Sequence, residues 1–186
     1  MRFKTCAMLF VVVAASAAWA APAFDLAGLM QLLAANPSSE VVYVEKKYSA
    51  LLAQPVVSSG RLVYRRPDVV EKNMTAPRQE SFRIAGRELT VTRGGKERRM
   101  SLSSEPLLAA FAASLRGVLS GDARQLVEHY RLALSGTQSE WTLEMTPIDE
   151  EITRFVQRVV VSGRAGHVKQ IEVREANGDR SVLTVT

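Results

Sequence analysis

The sequence predicts an α+β domain in which amphipathic helices cover the apolar face of one antiparallel sheet. Three observations carry this. From Val41 to Gly86 apolar and polar residues alternate in short runs, Leu62 and Tyr64 against Arg61 and Arg65, Phe82 and Ile84 against Ser81 and Arg83, which is the period of a half-buried strand. Pro, Ser and Gly separate these runs at intervals too short for the crossover helices that parallel neighbours need. Three segments repeat instead at three to four residues, and a sheet apolar on one face needs such helices to cover it.

In chain order, Leu26, Leu29, Met30 and Leu33 form the apolar stripe of a first helix, with Asp25 as its cap and Asn36-Pro37 as its stop. Strands follow at Ser39 to Leu51, Arg61 to Arg65 and Val69 to Met74. A further strand through Phe82 and Ile84 turns at Gly86, and Glu88 to Arg93 and Lys96 to Leu102 flank Gly94-Gly95, whose glycines permit a two-residue hairpin. Leu108, Phe111, Leu115, Val118 and Leu119 share a second helical face, behind Ser104 as cap and Pro106 in the first turn. Ser120-Gly121 leads to a third stripe of Ala123, Leu126, Val127 and Tyr130, opened by a variant capping box, Asp122-Ala123-Arg124-Gln125. Strands return at Arg131 to Leu134 and through Trp141, Leu143 and Met145, which alternate with polar residues. After a helical turn over Pro147 to Thr153, Phe155 to Ser162, Val168 to Ala176 and Ser181 to Thr186 make two hairpins around Arg164-Ala165-Gly166 and Asn177-Gly178.

Residues 1–20 read as an export signal and not as part of the fold. Arg2 and Lys4 give the positive start, Ala7 to Ala15 an apolar run shorter than the ~20 residues of a spanning helix, and Ala18-Trp19-Ala20 a small-x-small cleavage site. Cleavage is expected after Ala20, leaving residues 21–186 as a single domain in the periplasm. Cys6 lies before the apolar run, so neither lipid attachment nor a disulfide is expected. Without Arg2 and Lys4, the 24 basic and 19 acidic residues become 22 and 19, an excess of three with the signs interspersed. Nucleic-acid binding would require a concentrated basic stripe with stacking aromatics, and Arg65-Arg66 and Lys96-Glu97-Arg98-Arg99 are only short pieces.

Catalytic constellations are missing: the sequence has no G-x-S-x-G elbow, no H-E-x-x-H and no glycine-rich phosphate loop. The only histidines, His129 and His167, are far apart in sequence, and Asp149-Glu150-Glu151 is explained by an acidic first turn at a helix N-terminus. The expectation is therefore a protein without catalytic residues, metal or cofactor. Periodicity does not decide whether the space between sheet and helices is filled by side chains or left as a binding cavity.

The segment Gly60-Arg61-Leu62-Val63-Tyr64-Arg65-Arg66-Pro67, then Met74-Thr75-Ala76-Pro77, then Phe82 to Leu89 through Gly86, resembles the LolA-like periplasmic lipoprotein carriers. The element order of most of the chain is similar too. The resemblance implies an incompletely closed, half-barrel sheet with helices over its apolar concave face. It implies a carrier for the acyl chains of a lipoprotein or another lipid, moving from an inner-membrane donor complex to an outer-membrane acceptor. By the same likeness Arg66 matches an arginine that tethers the helical lid, a role that suits a guanidinium's several fixed donors. The cavity lining is expected from Met30, Leu33, Leu62, Tyr64, Leu89, Val91, Phe111, Leu115, Trp141, Leu143 and Met145, and the protein is expected to be a monomer. Val69, Val70 and Lys72 stand where many family members have aromatics. Together with Leu115-Arg116-Gly117-Val118-Leu119-Ser120-Gly121-Asp122, Lys72 resembles a related branch that accompanies other outer-membrane lipid export systems. A lipid-sensing module of the same architecture, signalling to a membrane partner, is the alternative, and a hydrolase a more distant one.

Overall fold

The computed structural model describes residues 24–36, 38–104, 112 and 115–186. The signal segment, the start of the second helix and Phe111 lie outside the described residues.

Among the described residues, eleven strands form one sheet: β1 (Ser38–Tyr48), β2 (Val56–Arg65), β3 (Val69–Ala76), β4 (Glu80–Ala85), β5 (Glu88–Arg93), β6 (Lys96–Ser101), β7 (Tyr130–Thr137), β8 (Glu140–Pro147), β9 (Val156–Arg164), β10 (His167–Glu175) and β11 (Arg180–Val185). Their order is β6-β5-β4-β3-β2-β1-β11-β10-β9-β8-β7, and each neighbouring pair is antiparallel. The sheet is two meanders joined where β11, the last strand, pairs with β1, so Tyr43 lies opposite Val185. The two edges, β6 and β7, do not meet, and the sheet stays open.

Short turns set this register. Gly94 and Gly95 take φ of 55° and 76° between β5 and β6, the left-handed conformations of a two-residue hairpin. β2 starts at Val56 and not near Arg61, because Val56 to Gly60 pair with Lys47 back to Tyr43 although Ser58, Ser59 and Gly60 are weak strand formers. Cross-strand pairing outweighs propensity there.

Helix α1 (Leu26–Ala34) is capped by Asp25, whose Oδ1 accepts from the Gly28 amide at 2.8 Å. Helix α2 is seen as helical residues 112 and 115–120. α3 (Ala123–Val127) is capped by Asp122, which accepts from the Arg124 amide and the Gln125 side chain at 3.1 and 3.2 Å. The third stripe is shorter than the sequence predicts: Val127 is exposed, and Tyr130 opens β7 opposite Pro147. α4 (Glu150–Thr153) is the expected acidic turn, with Asp149 accepting from the Glu151 amide at 2.8 Å. His129 Nδ1 lies 3.3 Å from Asp149 Oδ2 and links the end of α3 to the cap of α4.

Leu29, Met30 and Leu33 of α1 pack with Val118, Leu126, Trp141, Leu143, Met145, Val159 and Val161 in the main core. A second cluster joins Leu89, Leu102 and Ala112, with Phe82, Ile84, Val91 and Met100 against it. The core therefore divides between the two halves of the sheet.

Candidate functional site

Between these two clusters a cavity of about 520 Å³ remains, within the ~300–1,000 Å³ typical of ligand sites. One wall comes from β2 to β6: Leu62, Val70, Phe82, Ile84, Leu89, Val91 and Met100. The opposite wall comes from β8 to β11: Met145, Val159, Val161, Ile171, Val173 and Leu183. Leu115 and Val118 of α2 border it as well. For side chains of strands at both ends of one sheet to border a single space, the sheet must curl around it.

Pairing parity puts these residues on one face. Val70, Ile84, Leu89 and Met100 form one cross-strand row, and Leu62, Lys72, Phe82 and Val91 the next. Across the junction, Leu183, Ile171, Val161 and Leu143 form another. Side chains alternate along each strand, so a row begun inside stays inside.

Of the residues expected to line the cavity, Leu62, Leu89, Val91, Leu115 and Met145 border it. Met30, Leu33, Trp141 and Leu143 do not: α1 lies directly on this part of the sheet, and the four pack at 5%, 3%, 1% and 0% exposure. Trp141 is held further by its indole N–H, which donates to the Ala165 carbonyl at 2.8 Å. Tyr64 is also buried away from the cavity, its hydroxyl without a partner among the described residues. Burial raises its pKa above that of a free tyrosine, Arg66 lowers it in part and Asp68 raises it further. Phe111 lies outside the described residues. Alternation marked the correct face but not which part of it a helix would fill.

Arg66 donates from Nη2 to the carbonyl of Ala34, the last residue of α1. Carbonyls in a last helical turn have no partner within the helix, so this cation supplies a donor where the helix lacks one. A second arginine, which alternation and periodicity passed over, tethers the other helix in the opposite sense, from the helix to two turns. Arg116 of α2 donates from Nε to the Asp68 carbonyl at 3.2 Å, and from Nη2 to the Gly86 carbonyl. It thereby ties α2 to the β2–β3 and β4–β5 turns. The available signal was a charged residue directly between the apolar positions Leu115 and Val118.

The cavity wall carries two charges among the described residues, Glu45 and Lys72, and they are paired at 2.6 Å. Ser58 donates to the same carboxylate oxygen at 3.2 Å, and the Lys72 ammonium sits 5.2 Å from the centre of the Tyr43 ring. The Tyr43 hydroxyl is buried. Burial raises its pKa, the Glu45 charge adds to this and Ser58 offsets part. Among the described residues no cluster of His, Cys, Asp and Glu could hold a metal ion, and no helix is long and apolar enough to cross a membrane.

Comparison with known proteins places the site in context. The family described as outer membrane lipoprotein carrier protein LolA-like matches residues 17–185. A LolA superfamily protein from Nitrosomonas europaea is similar in structure at 16% identity, over 88% of this chain and 92% of that one, with a TM-score of 0.48. A DUF1329 family protein from Desulfovibrio piger is similar at 18% identity, over 87% and 88% of the two chains, with a TM-score of 0.48. No curated protein sequence matches.

Proposed function

Because the chain belongs to the LolA-like family of outer membrane lipoprotein carrier proteins, we propose that it is a periplasmic carrier that shelters acyl chains in the cavity between sheet and α2. On this reading residues 1–20 direct export and are removed, and residues 21–186 act as one domain without covalent chemistry. The protein takes lipid or a lipoprotein's acyl chains from an inner-membrane donor complex and delivers them to an outer-membrane acceptor.

The observation that carries the proposal is the cavity itself, about 520 Å³ and bordered by apolar side chains from both halves of the sheet. Its energetics fit. Each methylene removed from water is worth ~0.8 kcal/mol, so a chain of about a dozen gains on the order of 10 kcal/mol by entering. That gain must be reversible for delivery, and the two arginine tethers give the helices a closed position that competes with an occupied one.

The test has two readouts. Lipid co-purifying with the protein from its own host is identified by mass spectrometry, and the loaded protein is mixed with acceptor vesicles. A stoichiometric acyl lipid that passes to the vesicles supports a carrier. Lipid that binds and is never handed on points to the sensing module instead, and turnover of an ester substrate would replace both readings with an enzyme.

A further inference from the structure

The Glu45–Lys72 pair lies at the wall of a cavity whose other lining residues are apolar apart from Tyr130 and Ser181, and its energetics make it an uneconomical structural element. A partly buried ion pair contributes little net stability against apolar residues of similar volume, because desolvation offsets most of the attraction. The two side chains are 22% and 30% exposed, and both border the cavity. Lys72 reaches across β2 from β3 to a carboxylate on β1, with the Tyr43 ring beside its ammonium. These contacts hold the ammonium in place.

Hydrogen-bond capacity remains after the pair forms. An ammonium has three N–H donors, and Glu45 Oε2 takes one of Lys72's. Glu45 Oε2 also accepts from Ser58, whereas Oε1 accepts from no protein group among the described residues. The cluster thus offers a donor and an acceptor within one neutral unit.

We propose that this cluster anchors the polar end of the cargo, and that it selects an uncharged group carrying both a donor and an acceptor, with an acyl amide as the chemical type. An amide carbonyl accepts from Lys72 while its N–H donates to Glu45. A free carboxylate matches less well: Lys72 attracts it, Glu45 repels it, and the pair would have to break. This deepens the carrier reading and rests on it.

The experiment measures displacement of the neutral fluorophore N-phenyl-1-naphthylamine from the full mature protein at pH 8 by dodecanamide, dodecanoate and dodecane. For the parent, dodecanamide should bind at least tenfold more tightly than either other chain. In the double variant Glu45→Gln with Lys72→Met the advantage of amide over alkane should fall at least tenfold. Glu45→Gln alone leaves an unpaired cation and should tighten dodecanoate at least tenfold, and Lys72→Met alone should weaken it. Melting curves establish that each variant is folded, and the parent comparison needs no variant. The proposal is overturned if dodecanoate matches dodecanamide in the parent, or if the double variant keeps the amide preference. Equal displacement by all three chains removes the polar anchor and leaves the cavity reading standing. If none displaces or the fluorophore itself does not bind, the carrier reading falls and this inference with it.

Discussion

The Arg66 guanidinium donates to the carbonyl of Ala34, so the turn after β2 holds the C-terminal end of α1. α1 is fixed besides by Leu29, Met30 and Leu33, buried in the main core. α2 has a different tether, Arg116 on the carbonyls of Asp68 and Gly86, and it is α2 that borders the cavity. On the proposed carrier reading, α2 is therefore the helix that would serve as the lid.

The first prediction ranks the tethers. Hydrogen bonds to charged groups contribute about 1.5–3 kcal/mol, enough to change a closed-to-open ratio tenfold or more. Arg116→Leu should retain cargo binding and slow delivery to acceptor vesicles at least tenfold, because the empty protein no longer prefers to close. Arg66→Leu should slow it less, since its bond is more exposed and the apolar stripe still seats α1. Arg65→Leu loses only an exposed ion pair with Glu71 and should deliver like the parent. Stopped-flow transfer of a fluorescent lipid decides; equal rates in all four proteins would remove both tethers from the mechanism.

The second separates wall from core. Val91 borders the cavity, and Val91→Trp should fill it, weakening N-phenyl-1-naphthylamine binding at least tenfold with little loss of stability. Leu143 is 0% exposed, and Leu143→Ala should cost about 2–5 kcal/mol in urea unfolding. If Val91→Trp binds the probe as the parent does, Val91 is not at the binding surface.

The third concerns Gly163. A β-carbon there would overlap the His167 carbonyl oxygen and the Trp141 ring, both held in place, the first by the β9–β10 hairpin and the second by its bond to Ala165. Gly163→Ala should therefore cost about 1–3 kcal/mol. Gly94→Asn, at φ 55° with open space around it, should cost little. A thermal melt of each is enough, and equal melting temperatures would contradict the packing.

The fourth is a pH dependence. The amides of Glu151 and Ile152, followed by the His129 ring, hold the Asp149 carboxyl below its ordinary pKa, against a smaller opposing effect of desolvation. A carboxyl with a lowered folded-state pKa contributes stability that is present above its unfolded value, near ~3.9, and lost as the pH falls through the folded value. Asp149→Ala should lower stability at pH 7 by about 1 kcal/mol, as loss of an N-cap does. The difference from the parent should shrink below pH 4. Urea unfolding at pH 7 and pH 3 tests it, and a constant difference would show that the cap does not act through its charge.

The strands, their antiparallel direction and their inward face follow from local chemistry. Side-chain direction alternates along a strand whatever the rest of the chain does, so Leu62, Leu89, Val91 and Met145 could be assigned to one face from sequence. Caps at Asp25 and Asp122 were equally legible, because a cap acts within three residues, whereas Asp149 read as part of an acidic first turn and is the cap of α4. Leu143 and Met145 stand two residues apart on the same face, yet only Met145 borders the cavity. Nothing local distinguishes them; the seating of α1 does. Likewise nothing local pairs Glu45 with Lys72. Pairing of β1 with β2 and of β2 with β3 brings these residues, 27 positions apart, together over Tyr43. Arg116 reaches carbonyls 48 and 30 residues away. The sequence determined which way each side chain faces, because that depends on one strand's geometry; the tertiary structure alone decided what lies opposite, because that depends on strand order and helix seating.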